Sequence, residues 1–346
     1  KVLVSDTDRH VIAFGCDGEF SIGTQDPLLI RFSDQESLTE WRSLPDTTAG
    51  SLRIGSGSEI ITAVETKQQV LVFTDVSLHT MQYLGPPFTF GVTEVASGIS
   101  IISPNAAVAA NDTVYWMGEG DFYMFDGTVR TLPCPITNQV FEGFTESQSQ
   151  KVVGGLNADF SEIWWFYPGP DSDECSNYVV YDYGQDIWHF GTLARTAWIP
   201  RGVFGYPVAA GDDNILYYHE IGVNDGSTNP PQAISSYIES SEFDLDDGYR
   251  YMFVSKVIPD VTFRGSEGTP QATITLTARN FPGSPLGDSE TETVVRSATV
   301  PVEQFTEQSF VRLRGRSIRF KIEAEQYNTA WKLGSPRLGI RPDGRK

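Results

Sequence analysis

The sequence predicts an all-β protein, in which a β-propeller of four-stranded blades is followed by an antiparallel β-sandwich or jelly-roll-like domain. A segment that joins a strand of small residues to a strand of aromatic residues recurs along the first two thirds of the chain. Glycine and proline are frequent, at 32 and 20 of 346 residues, and no long block rich in Ala, Leu, Glu and Lys is present. The pattern changes near residue 234, so we expect the propeller over residues 1–233 and the sandwich over residues 234–346.

The repeated segment is clearest at residues 152–168, VVGGLNADFSEIWWFYP, where a polar turn separates the small residues from the aromatic ones. The same order occurs in RHVIAFGCDGEF (9–20) continued by LLIRFSD (28–34), in IITAVETKQQVLVFTD (60–75), in AAVAANDTVYWMG (106–118) and in YPVAAGDDNILYYHE (206–220). The starts lie about 45 to 55 residues apart, a period typical of propeller blades. We expect about five repeats, with the start of the propeller truncated, because the chain begins at Lys1 directly in a strand-like segment.

A second hairpin follows most of these segments and supplies the other two strands of a blade. These hairpins are SLHTMQYLG (77–85), GDFYMFDGTVRTLP (120–133) and NYVVYDYGQDIWHFGTL (177–193). Turn signals such as Asp126-Gly127 stand between alternating apolar runs, as hairpins require. Four strands per repeat therefore make one blade.

Small residues next to bulky ones suit a propeller, because the blades crowd at the central axis and diverge away from it. We expect Trp164 and Trp165 to alternate faces on one strand and to pack against both neighbouring blades. An aromatic platform for sugars is the alternative, which the recurrence of the pattern in repeat after repeat disfavours. The small residues predicted on inner strands near the axis are Gly154, Gly155, Ala109, Ala110, Ala209 and Ala210. Trp116 and Trp188 are also predicted to be largely buried.

Strict alternation indicates the strands of the second domain. In QATITLTAR (271–279), the apolar residues face one way along the strand. FVRLRGRSIRFKIEAE (310–325) alternates too, but its apolar positions change parity at residues 315–317, which indicates a tight turn or a bulge. GVNDGSTNPPQ (222–232) is predicted to be the loop at the domain boundary.

The net charge of −20 is distributed unevenly. The first 233 residues contain ten basic and thirty acidic residues, whereas the remainder contains fifteen of each. This asymmetry indicates two domains with different surroundings. It also argues against DNA binding by the first domain, because phosphate binding needs a positive surface.

No set of residues has a recognisable catalytic, cofactor-binding or metal-ligating pattern. The histidines have no metal-ligand spacing, and a nucleophile elbow, a phosphate-binding loop and a dinucleotide fingerprint are absent. Glycoside hydrolysis needs two carboxylates facing one cleft, and the sequence singles out no pair among the thirty acids of the first domain. We therefore predict that the chain is not an enzyme and has no catalytic residue, cofactor or metal.

Cysteine usage and hydropathy bear on the compartment. Cys16, Cys134 and Cys175 stand far apart and are odd in number, which favours reduced thiols in a protein assembled in a cytoplasm. No apolar run reaches the roughly 18 to 20 residues that span a bilayer, so we predict no membrane span.

One concentrated positive feature is a basic stripe, defined as Arg312, Arg314, Arg316, Arg319 and Lys321. Alternation places most of these side chains opposite the predicted core face. One interpretation is a solvated strand face that discourages edge pairing. The other, which we favour, is a contact with the acidic propeller of a neighbouring subunit, because opposite potentials guide docking.

Long phrases of the sequence resemble the tail-nozzle, or tail tubular protein B-like, proteins of short-tailed bacteriophages. These phrases are TQDPLLIRFSDQESLTEW, TAGSLRIGSGSEIITAVETKQQVLVFTD, MQYLGPPFTFG, SIISPNAAVAANDTVYWMG, VNDGSTNPP, VIPDVTF and GSPRLGIRPDGR. The resemblance extends over nearly the whole chain, and family members carry more chain before the stretch that matches VLVSD. No catalytic residues belong to the family, so none carry over.

The resemblance implies a propeller-bearing structural subunit of a hexameric tail tube, through which DNA leaves the capsid without specific binding. The implied partners are other copies of the chain, the portal-adaptor protein, and tail fibre, spike or needle proteins. The implied location is the virion tail, assembled in the host bacterial cytoplasm. The alternative function is a propeller-type tail protein that binds or depolymerises host glycans, which needs an exposed aromatic platform with neighbouring carboxylates.

Overall fold

A computed structural model describes residues 1–6, 8–246, 248–280 and 296–344. Its contacts divide the chain into two compact units, residues 1–220 and residues 221–346. The first unit therefore ends at Glu220, directly after the last predicted repeat, and the loop at 222–232 belongs to the second unit. No helix among the described residues has the length and apolarity needed to cross a bilayer.

The first unit consists of five antiparallel sheets, in each of which consecutive strands are neighbours. Sheet 1 contains β1 (Val2–Val4), β2 (Val11–Phe14), β3 (Leu29–Phe32) and β4 (Gly50–Arg53), and sheet 2 contains β5 (Ile60–Glu65), β6 (Val70–Thr74), β7 (Ser77–Gly85) and β8 (Thr89–Ser97). Sheet 3 contains β9 (Ala107–Ala110), β10 (Thr113–Met117), β11 (Phe122–Phe125) and β12 (Val129–Leu132). Sheet 4 contains β13 (Val153–Asn157), β14 (Glu162–Pro168), β15 (Cys175–Asp182) and β16 (Ile187–Thr192), and sheet 5 contains β17 (Ala197–Ile199), β18 (Val208–Ala210) and β19 (Leu216–Tyr218).

Four of these sheets have four strands, so the prediction of an all-β chain with four-stranded antiparallel sheets is confirmed, and the first unit is propeller-like. A short helix, α1 (Thr137–Phe141), and a 3-10 helix (Glu146–Lys151) join sheets 3 and 4. Both helices are one or two turns long, in keeping with the scarcity of helix-forming blocks in the sequence.

Two repeats begin one strand earlier than the sequence predicted. β1 precedes the segment at 11–14, and β17 precedes the segment at 208–210, so each predicted first strand is the second strand of its sheet. Ala209 and Ala210 consequently lie on the middle strand of sheet 5, and their predicted place on an inner strand is wrong. The pattern of small residues does not mark these strands, because β1 reads VLV and β17 reads AWI, with Trp198 at its centre.

The first strands of neighbouring sheets lie against one another, from β5 to β9, from β9 to β13 and from β13 to β17. Gly154 donates its backbone N–H to the carbonyl of Asn105, over 2.7 Å. A Cβ added at Gly154 would collide with the Val108 side chain, and one added at Gly155 would come within 2.6 Å of the Trp198 ring. Glycine is therefore required at both positions by the close approach of the neighbouring sheets.

The two tryptophans of β14 point to opposite faces of sheet 4, as predicted. Trp165 is fully buried, donates its indole N–H to the carbonyl of Ala106 over 2.8 Å, and has its ring centroid 5.0 Å from that of Phe122 in sheet 3. Trp164 is half-buried and stacks on Trp198 of sheet 5, with centroids 5.9 Å apart and planes inclined by 11°. The predicted packing of these rings against both neighbouring sheets is therefore confirmed.

The other two tryptophans differ in burial. Trp116 is fully buried beside Phe73 of sheet 2, with centroids 5.1 Å apart. Trp188 lies 4.7 Å from Phe122 by ring centroids but stays half-buried, because β16 is the outer strand of its sheet. The prediction of extensive burial thus holds for Trp116 and Trp165, and only partly for Trp164 and Trp188.

The second unit has two main sheets. The five-stranded sheet contains β22 (Ser236–Glu239), β23 (Phe243–Asp244), β26 (Gln271–Arg279), β27 (Arg296–Glu303) and β29 (Ser317–Ala324), and the three-stranded sheet contains β24 (Met252–Ile258), β28 (Ser309–Gly315) and β31 (Arg337–Pro342). Two small pairs are β20 (Asn224–Asp225) with β21 (Gln232–Ala233), and β25 (Val261–Thr262) with β30 (Lys332–Leu333). One apolar cluster takes side chains from both main sheets, including Ile274 and Ile322 from one and Val254 and Leu313 from the other.

The parity change at residues 315–317 has a different cause from the predicted turn or bulge. β28 belongs to the three-stranded sheet and β29 to the five-stranded sheet, so the chain passes from one sheet to the other at Arg316. Gly315 lies at this crossing, where an added Cβ would come within 2.7 Å of the Cβ of Ala278. The apolar face therefore changes because the partner sheet changes.

Replacing Gly155 by Leu is expected to lower the free energy of unfolding by about 1 to 3 kcal/mol, because the new side chain collides with the Trp198 ring. Gly55 provides the matched control, since it is exposed and an added Cβ there has no heavy atom within 4 Å. Urea unfolding followed by tryptophan fluorescence compares Gly155→Leu with Gly55→Leu. Equal stabilities for the two variants would contradict the close packing of sheets 4 and 5.

Candidate functional site

The basic stripe is divided between the two main sheets of the second unit. Arg312 and Arg314 lie on β28, Arg316 lies at the crossing between the sheets, and Arg319 and Lys321 lie on β29. The alternation that suggested one continuous row of cations is therefore interrupted where the chain changes sheets.

Most cations of the stripe interact with groups of their own unit. The Arg314 guanidinium lies 2.6 Å from the Asp343 carboxylate and 4.0 Å from the centroid of the Tyr251 ring. Arg319 pairs with Glu239 over 3.0 Å, and Lys321 pairs with Glu323. These contacts favour a role within the fold for the three side chains over a large subunit contact. Arg312 is the one residue of the basic stripe whose side chain is exposed.

Acidic residues dominate the first unit. Residues 1–220 contain 29 Asp and Glu against 10 Lys and Arg, whereas residues 221–346 contain 16 and 15. A cavity of about 410 Å³ at the ends of the first strands is lined in part by Asp6, Glu65, Lys67 and Asp112. Lys67 and Asp112 are 3.3 Å apart, and partial burial raises the pKa of Glu65. The fold thus places several acids around one concave surface.

A second acidic feature is a pair of carboxylates joined by one buried amide. Asn157 is 1% exposed, and its Nδ2 donates to Glu162 Oε2 and to Glu220 Oε1, each over 3.2 Å. Asn157 ends β13 and Glu162 begins β14, so the hairpin sets them opposite one another, whereas Glu220 follows β19 of the neighbouring sheet. The Oδ1 of Asn157 is buried without a hydrogen-bond partner. We call Asn157, Glu162 and Glu220 the carboxylate pair site.

Aromatic side chains and a histidine border this site. The indole N–H of Trp164 donates to Glu162 Oε2 over 2.9 Å, which is the oxygen that Asn157 also contacts. The other oxygen, Oε1, lies 3.9 Å from His189 Nε2. Trp198 stacks on Trp164 on the side of sheet 5. One oxygen of Glu162 is therefore held by two donors, while the other has only the more distant imidazole.

The protonation of the site is shifted by its surroundings. Partial burial of the carboxyl group and the negative charge of Glu162 raise the pKa of Glu220, and the hydrogen bond from Asn157 opposes this shift. Burial and the adjacent Arg195 lower the pKa of His219 to about 4. Arg195 Nε donates to His219 Nε2 over 2.9 Å, an arrangement that requires the neutral imidazole.

Sequence reasoning missed this site. Asn157 and Glu162 flank a turn within one repeat, but Glu220 is 63 residues from Asn157 along the chain. Nothing in the sequence distinguishes these two glutamates from the other acids of the first unit. Within the described part of the chain, no group of three or more His, Cys, Asp and Glu residues is arranged to hold a metal ion.

Neither a family model nor a curated protein matches the chain. Solved structures that are similar to it include an exo-β-1,3-galactanase from Phanerochaete chrysosporium, at 12% identity over 98% of this chain and 95% of that chain, with a TM-score of 0.30. A glycoside hydrolase family 43 arabinoxylan arabinofuranohydrolase from Bacillus subtilis matches at 8% identity over the same shares, with a TM-score of 0.29. The extracellular domain of a one-component system from B. thetaiotaomicron matches at 14% identity and a TM-score of 0.38, over 68% of this chain and 27% of that chain.

The prediction that the chain is not an enzyme is corrected by this comparison, because glycoside hydrolases are among the similar structures. The prediction was based on the absence of a sequence motif, and paired carboxylates on separate strands leave no such motif. At these identities and TM-scores, the likeness assigns no reaction to the chain.

The His219→Gln variant is expected to lose less stability than the wild type as the pH falls from about 7 to about 4. In the unfolded chain the imidazole titrates near its ordinary pKa of about 6.5, whereas folding lowers that pKa to about 4. Between these values the unfolded state binds a proton that the folded state does not, so folding is progressively disfavoured. Glutamine can still accept the hydrogen bond from Arg195 but does not take up the proton. Thermal melts across this range measure the difference, and parallel curves for the two proteins would contradict it.

Proposed function

We propose that the chain is a structural subunit of a bacteriophage tail tube or nozzle, which forms a hexameric ring, conducts DNA during ejection and docks to other tail proteins. The observation that carries the proposal is the resemblance of long phrases over nearly the whole sequence to tail-nozzle proteins. In this proposal the first unit is a β-propeller and the second unit is a β-sandwich. The propeller-like series of sheets and the two main sheets with a common core support these assignments.

The charge distribution suits a passage for DNA. A tube that bound the duplex would retain it, whereas carboxylates repel phosphates and leave the duplex able to slide. Repulsion across a narrow lumen is only partly screened over a Debye length of about 8 Å. The 29 acids of residues 1–220, against 10 cations, supply such a surface.

The proposal includes partners and a location. Copies of the chain form the ring, the portal-adaptor protein adjoins it, and tail fibre, spike or needle proteins attach to it in the virion tail, after assembly in the host cytoplasm. Within the basic stripe, Arg312 is the exposed member. A contact between the stripe and the acidic unit of a neighbouring subunit would therefore centre on Arg312, with support from charge complementarity.

Charge reversal of acids that line the passage is expected to slow DNA ejection at low salt, with recovery at high salt. A change of Asp or Glu to Lys is repeated in every subunit, so one substitution places about six lysines in a hexameric ring. Asp6, Glu65 and Asp112, which surround the acidic cavity, are the first positions to change. Ejection from variant particles is timed by the fluorescence of a DNA-binding dye at two salt concentrations.

The control is Glu303→Lys, an exposed position on β27 of the second unit, which adds the same charge outside the acidic unit. Adhesion through phosphates changes log affinity by about 0.9 per contact for each tenfold change in salt, so a true effect is strongly salt-dependent. If all variants assemble and eject DNA at the rate of the wild type at both salt concentrations, the acidity does not serve DNA passage.

A further inference from the structure

We propose that the outer face of the three-stranded sheet in the second unit binds the acidic first unit of a second copy of this chain. The inference rests on the proposed ring of identical subunits and deepens it, because it names the surface through which one subunit docks to the next. We call this surface the basic face, and define it by Lys256, Phe310, Arg312, Arg314, Arg337 and Arg341.

Alternation along the three strands fixes the direction of these side chains. Val254 on β24, Leu313 on β28 and Leu338 on β31 pack in the apolar core of the second unit. Residues at the intervening positions point to the opposite side of the sheet. The register sets Arg314 and Arg341 on either side of the central strand. Cations from distant parts of the sequence therefore share one face.

The charge of the basic face has one sign. Its three strands contain five cations, and none of their residues is Asp or Glu. The strands of the five-stranded sheet, in contrast, contain four basic and four acidic residues. Because residues 221–346 are nearly neutral as a whole, this clustering gives one side of the second unit a positive potential. The exposed cations of the face are Lys256, Arg312, Arg337 and Arg341.

Aromatic rings hold two guanidinium groups of the basic face in place. The Arg314 guanidinium lies 4.0 Å from the centroid of the Tyr251 ring, and it also pairs with Asp343 over 2.6 Å. The Arg341 guanidinium lies 4.7 Å from the centroid of the Phe253 ring. Side chains that are already fixed lose less conformational entropy when a partner binds. The face is therefore ordered before its partner arrives.

An exposed aromatic side chain lies within the basic face. Phe310 is 79% exposed and lies opposite Lys256 on the neighbouring strand. Aromatic residues and arginine are enriched at protein–protein interfaces, whereas contacts to the phosphates of duplex DNA need only hydrogen-bond donors. The combination of Phe310 with arginines therefore favours an acidic protein surface over duplex DNA as the partner.

The first unit of the same chain has the charge that this face requires. Residues 1–220 contain 29 acidic and 10 basic residues. Every copy therefore carries both surfaces, and opposite potentials guide the basic face of one copy to the acidic unit of the next. Such a contact joins two different surfaces, so it repeats from subunit to subunit and can close into a ring.

The test measures self-association of the full-length chain by sedimentation velocity at two salt concentrations. The wild type is expected to assemble, and to do so more weakly at high salt because the opposite charges are screened. Arg312→Glu/Arg337→Glu reverses two exposed cations of the basic face, and it should weaken association by about 10- to 100-fold at low salt. Phe310→Ala should weaken association at both salt concentrations, because it removes apolar contact rather than charge.

The matched control is Arg264→Glu/Lys332→Glu. It makes the same change in charge at two exposed positions of the second unit that lie outside the three-stranded sheet. This control should associate as strongly as the wild type, and thermal melts verify that all variants fold. Equal losses by the control and by Arg312→Glu/Arg337→Glu would overturn the proposal, because net charge rather than the basic face would then govern assembly.

Results that overturn the docking surface differ from those that overturn the ring. If Arg312→Glu/Arg337→Glu associates as strongly as the wild type, the basic face is not the docking surface, although the ring stands. A wild type that stays monomeric at all concentrations would overturn the ring and this contact together. Fluorescence anisotropy with labelled duplex DNA tests the other partner. Binding that the wild type shows and Arg312→Glu/Arg337→Glu lacks, with unchanged self-association, would overturn the proposal in favour of nucleic acid.

Discussion

The contact between Gly155 and Trp198 is the constraint on which the arrangement of sheets 4 and 5 depends. Because Gly155 has no side chain, the indole of Trp198 lies directly against β13 and donates to the carbonyl of Leu156 over 3.1 Å. That donation fixes the backbone immediately before Asn157. On its other side, Trp198 lies 4.9 Å from the His219 ring by centroids, directly before Glu220 in the chain. One inter-sheet contact therefore positions both parts of the carboxylate pair site.

Charge has two separate roles in the first unit. Residues 1–220 contain 29 acids against 10 cations, and this negative balance produces a long-range field that repels nucleic acid and weakens as salt rises. At Asn157, the carboxylates of Glu162 and Glu220 share one hydrogen-bond donor. Burial and the negative charge of Glu162 raise the pKa of Glu220. The first effect needs no particular residue, whereas the second needs the specific geometry of two neighbouring sheets. The two effects therefore have separate structural origins within one unit.

The sequence predicted the fold better than the site, for physical reasons. The alternation and the turns of each sheet are local, so the strands of sheets 2, 3 and 4 and the opposite orientations of Trp164 and Trp165 were predictable. The first strands of sheets 1 and 5 were not, because β17 carries Trp198 where the pattern of small residues was expected. The change of sheet at Arg316 and the meeting of Glu162 with Glu220 depend on tertiary packing, which strand patterns do not encode.

Cryo-electron microscopy of the purified full-length protein tests the central claim, that acidic units of this chain surround a passage for DNA. The account predicts a six-fold ring with an open lumen, in which Asp and Glu side chains of residues 1–220 face the opening. A protein that stays monomeric at all concentrations would contradict it. A ring whose lumen is lined by the charge-balanced residues 221–346 would contradict it as well.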